Sequence, residues 1–233
     1  MKSRVLPMIF MFLASGLGQA APAAEFGGYV ALTSDYVKRG VSQSDGDPSI
    51  QLSGDLSFDN GFYIGAWGSS VDIQNGPSRK RDVEINYYLG YAMDISSTWQ
   101  MSVGAVAYTY PGQTGNVDYN YEEYSLGASF DDRMWLEFAY SPDLYNTGQS
   151  STNIDVFAEW PIDGIWSLGA GAGRYDTSDL TGRAYSYWQL GATASLSWAD
   201  IDFRFHDTDR AVPIISTPER AKSRFVVKIQ IPF

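Results

Sequence analysis

The sequence predicts an all-β chain, a transmembrane antiparallel up-and-down β-barrel of about 12 strands, such as crosses the outer membrane of a Gram-negative bacterium. Three observations predict it. Apolar and polar residues alternate with period 2 in segment after segment, the mark of strands with one apolar face. The segments are joined by connections that are short and long in turn. The last segment, Arg224 to Phe233, sets Phe225, Val227, Ile229, Ile231 and Phe233 on one face and closes on an aromatic residue.

At the amino terminus Lys2 and Arg4 flank the start of an apolar run from Val5 to Leu17, which leads to Ala20, Ala21, Ala23 and Ala24. A basic start, a short apolar stretch and an Ala-rich end make a secretory signal peptide. Residues 1–24 are therefore expected to be removed, and 25–233 to form the barrel. The apolar run is shorter than the roughly 20 residues a helix needs to span a bilayer. Without Lys2 and Arg4 the basic residues fall from 16 to 14 against 27 acidic ones, a formal charge of −13. That balance argues against nucleic acid, whose phosphates need a basic surface. Cysteine is absent, so neither a disulfide nor a thiolate metal site is possible. Aromatic residues make up 15% of the chain and charged residues only 18%, a low charge content for a soluble domain. A barrel accounts for this, because each strand shows lipid at every second residue and turns the others inward.

In chain order the strands are expected at Phe26 to Tyr36, Ser49 to Phe58, Phe62 to Asp72, Val83 to Asp94, Trp99 to Tyr110, Tyr121 to Phe130, Met134 to Ser141, Asn153 to Pro161, Trp166 to Tyr175, Ala184 to Trp198, Ile201 to His206 and Arg224 to Phe233. In the second, Ile50, Leu52, Leu56 and Phe58 oppose Gln51, Ser53, Asp55 and Ser57. In the eighth, Ile154, Val156, Ala158 and Trp160 oppose Asp155, Phe157 and Glu159. Short turns at Asp59-Asn60-Gly61, Ile95 to Thr98, Asp131-Asp132-Arg133, Ile162 to Ile165 and Ala199-Asp200 alternate with long polar loops. Short periplasmic turns and long outer loops are the outer-membrane pattern. An even strand count then puts both termini in the periplasm. The unbroken alternation of the last strand looks like the signal by which the barrel-assembly machinery recognises its clients.

Function is expected at inward-facing positions. These include Asp55, Glu84, Glu123, Glu137, Asp155, Glu159 and Asp202, opposed by Arg204, Arg224 and Lys228. The acidic excess predicts a modest cation preference if the lumen is open. The opposing reading is that the charges pair across a filled interior and conduct nothing. Gly169, Gly171 and Gly173 share one face of the ninth strand, leaving space either for a solute or loop or for bulky neighbouring side chains. His206, the sole histidine, shares the parity of Asp202 and Arg204 and is the residue any histidine-dependent hydrolase would have to use. No serine nucleophile motif accompanies it. The Asp45-Gly46-Asp47 loop lacks the spacing of a calcium loop, and turn chemistry explains it equally. Trp99, Trp160, Trp166, Trp198, Tyr110, Tyr121, Tyr140 and Tyr175 fit interfacial girdles; ordinary core packing is the other reading, though it explains their clustering beside turns and loops less well. Arg79-Lys80-Arg81, in an outer loop, is placed either to meet lipopolysaccharide phosphates or simply to be solvated. No cofactor, metal ion or catalytic residue is assigned.

The segment Ser34-Asp35-Tyr36-Val37-Lys38-Arg39-Gly40-Val41-Ser42-Gln43-Ser44, with Pro48 and Gln51 after it, resembles the opening signature of the TorF-type porins. Gly61 to Asp72, GFYIGAWGSSVD, and Glu84 to Tyr91, EINYYLGY, continue it. The resemblance implies an outer-membrane barrel with a transport role. By parity Asp35 and Arg39 point inward at the first loop. Arg39, with Ser42 and Gln43, is then expected either to shape a constriction or to pin the loop through a salt bridge. The reading as a whole is a barrel in the cell outer membrane, among lipid and lipopolysaccharide, that passes small hydrophilic solutes by diffusion. The alternative is a closed structural or adhesive barrel with partner-binding loops.

Overall fold

The computed structural model describes residues 24–72, 82–111, 118–212 and 215–233. The expected leader, but for Ala24, and the Arg79-Lys80-Arg81 cluster lie outside the described residues, as do parts of three outer loops. The described residues form fourteen strands: β1 (Ala24–Thr33), β2 (Val37–Lys38), β3 (Val41–Ser42), β4 (Ser49–Phe58), β5 (Phe62–Val71), β6 (Asp82–Asp94), β7 (Trp99–Thr109), β8 (Tyr121–Phe130), β9 (Met134–Ser141), β10 (Ser151–Pro161), β11 (Trp166–Asp176), β12 (Ala184–Ser195), β13 (Asp200–Thr208) and β14 (Arg224–Pro232). Twelve of them, all but β2 and β3, close into one antiparallel barrel in chain order. Pairing of β1 with β14, Tyr29 opposite Pro232 to Thr33 opposite Lys228, shuts the ring and leaves no free edge.

The wall follows from the alternation. On β4, Ile50, Leu52 and Leu56 are exposed while Ser49, Gln51, Ser53 and Asp55 are buried. β6 and β9 alternate in the same way. A surface so continuously apolar suits hydrocarbon rather than water. Trp99, Trp160, Trp166 and Trp198 stand on the outer face near the short-turn rim, and Tyr140 near the loop rim. Among the described residues no helix is long and apolar enough to cross a membrane; the strands make the wall. Gly61, at φ +89°, closes the turn between β4 and β5, where a Cβ would lie 2.1 Å from the Ala92 carbonyl oxygen.

Three of the expected girdle residues belong elsewhere. Tyr110, Tyr121 and Tyr175 are buried inside the barrel, packed with Val41, Tyr108, Leu144, Tyr185, Tyr187 and Val212. Their strand parity, shared with Glu123 and Gly173, turns them inward, where their rings fill the loop end of the lumen. The β11 glycines also make room for side chains. A Cβ on Gly169 or Gly171 would sit 2.8–2.9 Å from the Phe157 ring, and one on Gly173 2.3 Å from Tyr187.

Candidate functional site

The first loop folds down into the barrel. Val37 pairs with Ser42 and Lys38 with Val41, so Arg39 and Gly40 form a two-residue hairpin turn with φ of 50° and 76°. Positive φ at both positions is the type I′ geometry, which glycine adopts freely and arginine rarely does. Arg39 is held there by its side chain, whose two terminal nitrogens donate to the two carboxylate oxygens of Glu123 on β8 at 2.7 and 2.9 Å. The guanidinium also lies 4.4 Å from the centre of the Tyr175 ring. Both partners of the pair are almost fully buried, so the salt-bridge reading of Arg39 is the one seen. Beside it, Lys38 Nζ donates to the Tyr121 hydroxyl at 2.9 Å and sits 3.5 Å above the Tyr108 ring. Desolvation of its ammonium lowers the Lys38 pKa to about 8.

The base of the loop is clasped separately. Asp35 Oδ1 accepts from Ser42 and Ser44 at 2.6 and 2.9 Å, and its other oxygen accepts from Arg224 on β14. Arg220 reaches the backbone carbonyl and carboxylate of Asp72, and lies 3.6 Å from Asp45. Asp45 and Asp47 thus belong to a turn braced by an arginine.

Below the hairpin lies a cavity of about 320 Å³. Nine of the expected site residues line it: Asp35, Arg39, Asp55, Glu137, Asp155, Glu159, Asp202, Arg204 and Lys228. Ser42 and Gln43 do not; Ser42 staples Asp35, and Gln43 bonds the Val41 carbonyl. Glu84, fully buried on β6, accepts from Asn86 at 2.8 Å and from the Tyr36 hydroxyl at 3.4 Å. On the β13 side Asp202 accepts from Arg204 Nε at 3.0 Å and from Thr193 at 2.9 Å, and lies opposite Lys228. Arg204 Nη1 has no hydrogen-bond partner among the described residues, and the guanidinium lies over the Phe157 ring. His206 lines the same cavity.

A family model described as a bacterial protein of unknown function, Gcw_chp, matches residues 18–233. The chain belongs to the Gcw_chp family. No curated protein matches it in sequence. Among solved structures the chain is similar to the KdgM porin in complex with disordered oligogalacturonate, at 9% identity and a TM-score of 0.57, covering 90% of this chain and 99% of that one. It is similar to the NanC porin at 10% identity and a TM-score of 0.56, with the same coverage. At such identity the likeness is one of fold: this Gcw_chp chain is built on the same barrel as those outer-membrane porins.

Among the described residues, seven carboxylates and four cations line the cavity of this Gcw_chp barrel. The charges are not evenly spread. Glu123, Glu137, Asp155 and Glu159 fall on the adjacent strands β8, β9 and β10, whereas Arg204 and Lys228 fall on β13 and β14. Lys38, Trp135 and Phe157 also line the cavity, although none of them is among the expected site residues. Trp135 and Phe157 share the parity of Glu137 and Asp155, and Lys38 stands beside Arg39.

Proposed function

We propose that this chain is an outer-membrane channel of the porin type, passing small hydrophilic solutes or ions by diffusion and preferring cations. The observation that carries the proposal is a cavity lined by seven carboxylates and four cations, enclosed by a closed barrel whose outer face is apolar. The porin fold of the structural neighbours and the TorF-type signature at Ser34 to Ser44 support the same reading. Passage involves no chemistry. The apolar outer face would meet lipid, and Arg79-Lys80-Arg81 the phosphates of lipopolysaccharide. β14 would serve as the segment handled by the barrel-assembly machinery. The KdgM porin is seen with oligogalacturonate; the acidic wall here would repel such a polyanion, which directs the proposal to cations.

One observation favours a second reading, a closed structural or adhesive barrel. Above the cavity, the loop-1 hairpin and the tyrosine cluster with fully buried Leu144 and Val212 fill the loop end of the lumen. Single-channel recording of the refolded barrel in a planar bilayer under a salt gradient separates the two. Discrete steps with a cation-directed reversal potential are the expected result. A folded barrel that stays silent would overturn the channel and leave the closed reading.

A further inference from the structure

We infer that the lumen holds a binding site for an organic ammonium ion, formed by the carboxylates of Glu137 and Asp155 and the rings of Trp135 and Phe157. The inference rests on the reading of the cavity as a place for solutes. Glu137 on β9 and Asp155 on β10 stand directly opposite each other in the sheet, and the next inward pair along the same two strands is Trp135 and Phe157. Two acids thus sit beside two aromatic rings, whose centroids are 5.9 Å apart, and all four residues line the cavity.

Like charges directly opposite on paired strands destabilise a sheet, and a buried carboxylate needs a cation or hydrogen-bond donors. Asp155 has donors: Asn153 at 2.6 Å and the Tyr187 hydroxyl at 3.1 Å. Glu137 has none. It is only 3% exposed and accepts no hydrogen bond from a described residue. Arg39 and Lys38 lie close enough to act on Glu137 electrostatically. Neither gives it a hydrogen bond: Arg39 grips Glu123, and Lys38 bonds Tyr121. A buried acceptor aimed into the cavity is left for a mobile cation.

The surroundings select the kind of cation. A hard metal ion collects six or more oxygens, and no group of three or more acidic or histidine ligands is assembled among the described residues. An alkylammonium is held instead by one or two carboxylates and by aromatic faces. The Phe157 ring already faces one cation, the protein's own Arg204 guanidinium, 5.0 Å from its centroid. A cavity of about 320 Å³ is at the lower end of the usual size for small-ligand sites, which suits a compact solute.

Isothermal titration of the refolded full-length barrel in detergent with choline chloride tests the site, with 3,3-dimethyl-1-butanol as the uncharged molecule of the same shape. Saturable binding of choline and none of the alcohol is expected. Glu137→Gln and Asp155→Asn should each weaken choline roughly tenfold. Equal heats from choline and the alcohol, or no saturable binding, would overturn the site without recourse to any variant. So would choline affinity unchanged in both variants, each checked for folding by its compact mobility in unheated gels. Because binding is read without current, the two proposals fail separately. A silent barrel that binds choline keeps the site and loses the channel; a conducting barrel indifferent to choline does the reverse.

Discussion

At the scale of single residues, the interior of this barrel is governed by how buried charges are satisfied. Removing one partner of a buried ion pair strands the other in a low-dielectric interior, at a cost of roughly 3–5 kcal/mol, whereas replacing both with apolar residues is often neutral. Arg39→Met alone should therefore lower the urea-unfolding free energy of the vesicle-embedded barrel by about that amount, and the double variant Arg39→Met, Glu123→Leu should recover most of it. Equal losses in the two variants would mean that the pair adds nothing specific. Lys38 gives a pH signature of the opposite sign to that of most lysines. Desolvation, with Arg39 beside it, outweighs the pull of Glu84, Glu123 and Glu137 and sets its pKa at about 8, below the ordinary 10.5. The unfolded chain then binds more protons than the fold between those values, so stability rises with pH across that window and the cost is complete below it. Lys38→Met should be more stable than the parent at pH 7, with an advantage that shrinks from about pH 8 and is gone above 10.5. A pH-independent difference between the two would contradict the buried ammonium. Nine of the expected residues fall on the cavity side, where strand parity places them, because a strand leaves each side chain only two directions. Parity carries no information in loops, where Lys38 lines the cavity while Ser42 and Gln43 bond within the loop instead. Tyr110, Tyr121 and Tyr175 lie near strand ends, as girdle residues do, but parity turns them inward.

At the scale of strands, the two faces should respond to the same substitution in different ways. Leu190 and Gln189 are neighbours on β12; Leu190 is 56% exposed on the outer face, and Gln189 lines the cavity. An arginine facing lipid near the midplane costs about 2–4 kcal/mol, and one facing the lumen does not carry that cost. Leu190→Arg should reduce the unfolding free energy in vesicles by about that much, while Gln189→Arg, in an acidic lumen, should leave it nearly unchanged. Equal effects would argue that the outer face does not meet lipid. Strand positions were legible because alternation over eight or more residues is a strong signal; β4, β8 and β9 have the expected bounds. Ends were less so. β12 was expected to run to Trp198 but stops at Ser195, where the Leu196 N–H turns back to the Ala199 carbonyl at 2.8 Å. The hairpin of β2 and β3, with two residues on each arm, is too short to show any period, as is the four-residue helix α1 (Ser178–Thr181).

At the scale of the whole molecule, the first and last strands meet in the barrel wall, and the loops beside them meet at the loop end of the lumen. β14 pairs with β1, Arg224 holds Asp35, and Arg220 braces Asp72 and Asp45, so the last loop pins the first. That clasp anchors the base of loop 1, and the Arg39–Glu123 bridge anchors its tip to the opposite part of the ring. The hairpin is therefore a ceiling fixed at two points, and its removal has a computable electrostatic sign. Val37 and Ser42 already face each other across the hairpin, so replacing Lys38-Arg39-Gly40-Val41 with Asn-Gly keeps a two-residue turn of the favoured type. Adding Glu123→Gln spares the barrel a stranded buried charge. Two cations and one carboxylate then leave the cavity, which changes from seven carboxylates against four cations to six against two. Unit conductance should rise because the ceiling is gone, and the reversal potential under a salt gradient should move further toward the cation value because the remaining wall is more acidic. The closed reading of the wild-type barrel makes a sharper version of the same forecast: silence before the deletion and current after it. If conductance and selectivity are the same in both proteins, loop 1 is not the ceiling of the path, and the resistance must lie among the tyrosines above it.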